Sequence, residues 1–306
     1  MTAPLLAGID VGGTKTHVRV VAGSTVLHDQ VVPSTGWSAT PVDEAADWLA
    51  ALLPRPVSFV AVGAQGCEER SSCALLRTAL EDRLGIPALV VNDAELLVPA
   101  AGLTDGIALV AGTGAIAVHS GDRMLRAGGW GWVLGDDGSA SALVRQAARA
   151  VLARTDRGDP PDALGHALLR SVGVPTVAAL AHTLSWGDGP EHWGRHAPAV
   201  VAAAGSSSDA RQVLDEGARA LVTLVETLVR RGVTTRDVVV AGGLITNVPT
   251  YWAKFRALLS ERLAEVRPTL LPHPPVAGAI ALARRSGTAP VPADQRSAGT
   301  DASGQR

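Results

Sequence analysis

The sequence has few cysteines, no basic run and no long apolar run, and each absence excludes a class of protein. Two cysteines among 306 residues exclude a disulfide scaffold and a four-cysteine zinc site, and we expect a reducing, cytoplasmic location. Lysine and arginine together number 27 against 29 acidic residues, which argues against binding to nucleic acid or to an anionic membrane. No stretch is apolar enough to span a membrane, and the start of the chain lacks the basic segment of a signal peptide.

The composition is that of a folded protein, with 47% hydrophobic and 18% charged residues. Short apolar or alternating runs between glycine turns predict the order β-β-β-α-β-α-β-α over the first hundred residues. The pattern begins again at a hairpin near residue 106 and continues through an alanine-rich helical section, which a loop at 186–198 interrupts. We therefore predict an α/β protein with domains at 1–104 and 105–286, the second with a helical insertion. The last helix is placed to pack back on the first domain, and 287–306 form a disordered tail.

Two glycine loops occur in the same strand–loop–strand context, one at the head of each half. They are Asp10–Lys15 and Gly112–Gly114. Adjacent glycines let backbone amides approach a phosphate closely, although a tight hairpin turn explains either loop alone equally well. Neither loop has the spacing of a Walker A or dinucleotide-binding motif. Their repetition favours two phosphate clamps that face each other across a cleft.

Three further segments stand where α/β proteins commonly bind ligands. Asp93 follows a buried strand, where it is either a helix cap or a carboxylate that takes a proton from a substrate hydroxyl. The segment Ala241–Leu244 lies at a strand's carboxyl end, where a plain turn is the simpler explanation. The loop at 128–138 is rich in glycine and tryptophan, and two acidic residues near its end precede a helix. A capped helix start needs fewer glycines than this loop contains, so the loop is also a candidate for wrapping around a small ligand.

In order, the segments DVGGTKT, ND, GTG, GGWGWVLGDDGS and AGGL resemble the sugar kinase/heat-shock-70/actin superfamily. Within it, the chain resembles the N-acetylglucosamine kinase branch of the BadF/BadG ATPase family, and GGWGWVLGDDGS is the most discriminating segment. The resemblance spans about Leu5 to Arg284. It implies two ribonuclease-H-like domains, as in the actin-like ATPase fold, that close over ATP and a sugar.

The resemblance also implies roles for residues at the matching positions. Asp10 would bind Mg²⁺ through a water molecule, Asp93 would be the catalytic base, and Asp136 would hold sugar hydroxyls. The first phosphate loop would consist of Gly12, Gly13, Thr14 and Lys15, and the second of Gly112, Thr113 and Gly114. Gly242 and Gly243 would flank the adenosine of ATP.

The expected acceptor follows from a departure from the family pattern. The family's Gly-x-x-Asn-like loop is replaced here by 34–39, which removes a partner for an acetamide. Gln65, Glu68 and Glu69 instead follow the strand expected to line the sugar site, and a carboxylate there favours an ammonium group. We therefore predict an ATP-dependent kinase for the 6-hydroxyl of glucosamine, ahead of N-acetylglucosamine. The alternative for the two glutamates is a helix start that faces water.

Three other functions compete with a kinase: a BadF-type ATPase activator with an iron–sulfur cluster, a sugar-sensing repressor, and an actin-like filament. Cys67 and Cys73 are only six residues apart, unlike the well-separated ligands of such a cluster. The chain begins on its first predicted strand, without the DNA-binding helices expected of a repressor. The expected partners are ATP and a small sugar, with no nucleic acid and no membrane, and a homodimer is left open.

Overall fold

The computed structural model describes residues 3–121, 124–186 and 189–287, and its first five strands form one sheet. The order across this sheet is β3-β2-β1-β4-β5. Strand β1 pairs antiparallel with β2 and parallel with β4, so the sheet is mixed. The elements of this half are β1 (Leu5–Val11), β2 (Lys15–Ala22), β3 (Thr25–Pro33), α1 (Val42–Ala51), β4 (Phe59–Ala64), α2 (Arg70–Leu84), β5 (Ala88–Val91), a 3₁₀ turn (Asp93–Leu96) and α3 (Leu97–Ala100).

The second sheet repeats the plan of the first, with the order β10-β9-β6-β7-β8. Its central strand β6 again has an antiparallel hairpin partner on one side and a parallel strand on the other. The elements are β6 (Ile107–Ala111), β7 (Ala115–Ser120), β8 (Met124–Gly128), α4 (Ala140–Asp156), α5 (Ala163–Val172), α6 (Val177–Ser185), α7 (Gly189–Gly194), α8 (Ala197–Ala203), α9 (Ser208–Arg230), β9 (Asp237–Ala241), α10 (Gly243–Asn247), α11 (Pro249–Arg262), β10 (Arg267–Leu270) and α12 (Val276–Gly287).

Local sequence signals account for the main helix boundaries. Helix α2 ends at Gly85, whose φ of 66° is the left-handed conformation that glycine adopts without strain. Ser139 and Ser207 cap α4 and α9, because each hydroxyl accepts a hydrogen bond from a backbone amide three residues later. One expectation was wrong, because 186–198 contain α7 and the start of α8 rather than a plain loop. Strand β8 was not predicted.

The last helix, α12, lies against the first sheet although it follows the second in the chain. Ala279 and Ile280 pack so closely on β1 that a Cβ added at Gly8 would lie 3.0 Å from each.

The boundary predicted at residue 104 falls between β5 and β6, and it stays a prediction. The predicted tail, apart from Gly287, lies outside the described residues. Within those residues, no single helix is long and apolar enough to cross a membrane, although the bent pair α5–α6 passes on length and composition.

The parallel strands carry the predicted motifs at their carboxyl ends. In the first sheet, β1, β4 and β5 end at Val11, Ala64 and Val91. In the second sheet, β6 and β9 end at Ala111 and Ala241. Since ligands in open α/β sheets bind beyond the carboxyl ends of the strands, both sheets present their glycine loops at the edge where a ligand is expected.

Candidate functional site

The first glycine loop is a tight turn that two buried hydroxyl groups brace from behind. Gly12 closes the turn by donating its backbone N–H to the carbonyl of Lys15 at 3.1 Å. Ser34 donates to the carbonyl of Gly12 at 2.8 Å, and its Oγ is also 2.8 Å from Oγ1 of Thr16. A Cβ at Gly13 would lie 3.0 Å from Oε1 of Gln65, so the loop after β4 packs directly on this turn. The turn therefore has a fixed backbone, while the side chains of Thr14 and Lys15 remain exposed.

Asp10 and Asp93 form an acidic pair beside this loop. The pKa of Asp10 is raised to about 7, first by burial and then by the charge of Asp93, while Lys15 opposes the rise. The pKa of Asp93 is also raised to about 7, first by burial and then by the charge of Glu68. Ionising both carboxylates in these surroundings costs free energy, because each is buried beside another negative charge. Carboxylates with shifted pKa values of this kind cluster at functional sites. The structure thus brings together two predicted site residues that are 83 positions apart in the sequence.

The second glycine loop lies against the turn between β9 and α10. Gly242 has a φ of 113°, and a Cβ there would stand 2.4 Å from the carbonyl carbon and oxygen of Ala111. A Cβ at Gly112 would be 3.5 Å from the backbone nitrogen of Gly243. Glycine at 242 is therefore required by both conformation and space. The predicted phosphate loop Gly112–Gly114 and the predicted adenosine segment consequently form one surface.

Asp136 braces the second glycine loop. It is the non-glycine residue with positive φ, at 57°, in the part of the chain that the structure describes. A Cβ at Gly114 would lie 2.9 Å from its Oδ2. Burial raises the pKa of Asp136, while hydrogen bonds from the backbone of Ala115 and Gly131 and the charge of Arg145 oppose the rise. These contacts hold the loop in place, and the predicted contact of Asp136 with sugar hydroxyls stays a prediction.

Glu68 forms an ion pair that links the loop after β4 to the second sheet. Its Oε2 lies 3.1 Å from a guanidinium nitrogen of Arg126 on β8. The same guanidinium stands 4.4 Å from the centre of the Trp130 ring, at cation–π distance. The carboxylate predicted to recognise an ammonium group therefore already has a cationic partner.

The two cysteines are buried next to each other and offer no cluster site. The thiol of Cys73 lies 3.6 Å from the carbonyl of Cys67. In the described ranges, no group of three or more histidine, cysteine, aspartate or glutamate side chains could hold a metal ion alone. The two thiols thus lack the further ligands that an iron–sulfur cluster within this chain would need.

Comparison with known proteins identifies the family. The family model for the BadF/BadG/BcrA/BcrD ATPase family matches residues 7–281, and the chain belongs to this family. A similar curated protein is the N-acetylmuramic acid/N-acetylglucosamine kinase of Clostridium acetobutylicum, 25% identical over 299 residues that cover 90% of this chain and 97% of that protein.

Solved structures agree on the fold. A protein of Chromobacterium violaceum, provisionally assigned as an N-acetylglucosamine kinase, has a TM-score of 0.70 and 22% identity over 92% of this chain and 99% of its own. A ROK family glucokinase of Streptomyces griseus, solved with glucose and AMPPNP, has a TM-score of 0.58 and 19% identity over 92% and 98%. Together with the two matching five-stranded sheets, these likenesses confirm the predicted two-domain, actin-like ATPase fold.

Sequence reasoning missed several residues that shape the site. Thr16 and Ser34 are ordinary strand-end residues in the sequence, and nothing local indicates that their hydroxyls meet. Arg126 is 58 residues from Glu68, so only the folded chain shows their pairing. Asn92 and Glu95 form a reciprocal capping box around Asp93, and this spacing was a signal that the sequence did contain.

Proposed function

We propose that this protein is an ATP-dependent hexosamine kinase that phosphorylates the 6-hydroxyl of an amino sugar. The observation that carries the proposal is the acidic pair Asp10 and Asp93 beside the first glycine loop. A carboxylate with a pKa of about 7 is matched to general-base work near neutral pH. Membership of an ATPase family and the glycine loops of the second sheet supply the nucleotide side of the same reaction.

The nucleotide would contact three backbone segments. The first loop would bind the terminal phosphates with Gly12, Gly13, Thr14 and Lys15. The second loop would bind them from the other sheet with Gly112, Thr113 and Gly114. Gly242 and Gly243 would lie against the adenosine, because they are packed on the second loop. Backbone amides held in fixed turns bind phosphate without having to reorganise at the moment of transfer.

A magnesium ion fits the acidic pair. Burial raises the pKa of both carboxylates, and a neighbouring negative charge raises each further, Asp93 for Asp10 and Glu68 for Asp93, so a nearby cation would relieve an existing electrostatic cost. Mg²⁺ is usually held by one or two carboxylates together with substrate phosphates, which agrees with a site that lacks a larger ligand cluster among the described residues. Asp10 would hold the ion through water. The ion would neutralise charge on the transferring phosphate.

Asp93 carries the proton transfer in this proposal. Its carboxylate would orient the 6-hydroxyl of the sugar and accept its proton while the hydroxyl oxygen attacks the γ-phosphorus. The bond between the γ-phosphorus and the bridging oxygen would break, and ADP would leave. Phosphoryl transfer depends mainly on positioning and charge neutralisation, and base assistance adds about 10²–10⁴-fold.

The ion pair of Glu68 weakens the argument for glucosamine as the acceptor, relative to N-acetylglucosamine. The argument for glucosamine rested on a free Glu68, but Arg126 occupies that carboxylate at 3.1 Å and would compete with an ammonium group. Similarity to a kinase named for N-acetylmuramic acid and N-acetylglucosamine supports an N-acetylated acceptor. We therefore place N-acetylglucosamine first. Glucosamine is the second candidate, since Asp10, Glu68 and Asp93 still give this region a negative charge.

The test is ADP release by the purified protein with ATP, Mg²⁺ and, in turn, N-acetylglucosamine, glucosamine and glucose. We expect kcat/KM to be highest for an amino sugar, and phosphorus NMR of the product to place the phosphate on the 6-hydroxyl. Release of ADP that no sugar increases would contradict the kinase proposal and favour an ATPase of the activator type.

A further inference from the structure

Glu95 is a buried carboxylate two residues after Asp93 that the proposed chemistry does not use. Only 3% of its side chain is exposed. Its Oε1 accepts hydrogen bonds from the backbone N–H of Asn92 at 3.0 Å and from Arg70 at 3.1 Å. Its Oε2 accepts one from the second guanidinium nitrogen of Arg70 at 2.8 Å and one from the hydroxyl of Ser120 at 2.5 Å. All of these donors lie outside the turn Asp93–Leu96, since Asn92 is its N-cap residue.

The bond to Asn92 encloses Asp93 in a closed ring of hydrogen bonds. Oδ1 of Asn92 accepts from the backbone N–H of Ala94 at 3.1 Å, and the backbone N–H of Glu95 donates to the carbonyl of Asn92 at 3.0 Å. A 3₁₀ turn of four residues is marginal by itself, so this capping box is what holds the backbone of Asp93 in one conformation.

The bonds to Arg70 and Ser120 connect this turn to two other elements. Arg70 is the first residue of α2, and its two bonds to the carboxylate form a fork that fixes orientation as well as distance. Ser120 is the last residue of β7, which belongs to the second sheet. One carboxylate therefore joins the turn that bears Asp93, a helix of the first half and a strand of the second half.

We propose that Glu95 is a positioning residue, which holds the Asp93 turn and, through Ser120, makes the position of Asp93 depend on the position of the second sheet. The consequence rests on the proposed kinase function: Asp93 is placed for proton transfer when the second sheet is positioned so that Ser120 bonds to Glu95. Errors of about 1 Å in such a placement can cost about 10²-fold in rate. A cavity of about 130 Å³, lined by Glu95, Ser120 and Leu282 among others, adjoins this junction.

The test compares Glu95→Gln with a matched control, Glu81→Gln. Glu81 also accepts a backbone hydrogen bond, from Ala88 at 3.0 Å, but at the opposite end of β5 from Asp93. Two quantities are measured: the ratio of sugar phosphorylation to sugar-independent ATP hydrolysis, and amide hydrogen exchange in the peptide covering 91–97.

For Glu95→Gln we expect the ratio to fall by about tenfold or more and exchange in 91–97 to become faster, while Glu81→Gln changes neither. A defect in folding alone would lower both activities together and leave their ratio as it was, and that result would overturn the proposal. If Glu95→Gln does not fold, Ser120→Ala decides the matter. It removes only the link to the second sheet, so the ratio should fall about threefold or more, and an unchanged ratio refutes that link.

The two proposals fail in different ways. If no sugar is phosphorylated by the unaltered protein, the kinase function is wrong, and the exchange measurement still tests whether Glu95 holds the Asp93 turn. If sugar is phosphorylated but Glu95→Gln exchanges and reacts as the unaltered protein does, the positioning role is wrong and the kinase function stands.

Discussion

Replacing Asp93 by asparagine should abolish most activity and at the same time stabilise the protein at alkaline pH. The amide keeps the size and shape of the carboxylate but cannot accept the hydroxyl proton. We expect kcat for the preferred sugar to fall by about 10²-fold or more. The stability gain has a separate cause, because the folded protein disfavours the ionised form of this residue.

The magnitude follows from the pKa of Asp93, which rises from 3.8 to about 7 on folding. Each tenfold change in an acid constant is worth about 1.4 kcal/mol, so ionised Asp93 costs the folded state up to about 4 kcal/mol. For an acid whose pKa is raised by folding, this cost is absent below pH 4, grows between pH 4 and 7, and is complete above pH 7. The asparagine amide stays in the same buried surroundings and is itself costly to bury there, so about 2 kcal/mol is a realistic gain for this substitution.

The assay is urea unfolding of both proteins at pH 5 and pH 8.5. We expect the asparagine variant to gain stability over the unaltered protein, and the gain to be larger at pH 8.5. A gain that does not depend on pH would refute the electrostatic reasoning, and near-normal turnover would remove Asp93 from the role of base.

Three further outcomes are expected. Asp10→Ala should abolish magnesium-dependent turnover without unfolding the protein, and turnover that persists in EDTA would contradict this. Gly242→Ala should destabilise the protein by several kcal/mol, since its Cβ would meet the Ala111 carbonyl at 2.4 Å, whereas Gly205→Ala, with open space around it, serves as the control in a thermal melt. In the pH profile of kcat/KM, activity should fall below about pH 7 as the base is protonated, and a profile flat to pH 5 would exclude a base with that pKa.

The sequence carried enough information to predict the paired sheets and the loops at their carboxyl ends. Alternating and buried strand patterns, separated by glycine turns, are local signals, and they led to the correct order of strands along the first half, whereas β8 of the second half was not predicted. Helix α7 was missed because its glycine, proline and histidine content is typical of a loop. Packing of α7 against α4 overrides that weak local preference. The Trp193 ring of α7 also lies 5.7 Å from the ring of Trp132 in the loop before α4.

The electrostatics of the site could not be predicted in the same way. Whether Glu68 is free to meet a ligand depends on Arg126, which a different sheet brings to it, and no spacing rule reports such a partner. The prediction that Asp93 lies at the mouth of the sheet needed only its position after a strand. Its raised pKa needed the folded surroundings, because burial and the charge of Glu68 arise from residues distant in the chain.

The acidic pair also explains why ligand binding and stability should be linked in this protein. Asp10 and Asp93 are held together by the backbone of β1 and by the capping box of Asn92, although their charges oppose each other. A site that keeps like charges close is preorganised for a cation and a polyphosphate, and the cost of that arrangement is carried by the rest of the fold. Binding of Mg²⁺ with nucleotide would remove this cost in the folded state only, so it would stabilise the protein more at pH 8.5 than at pH 5.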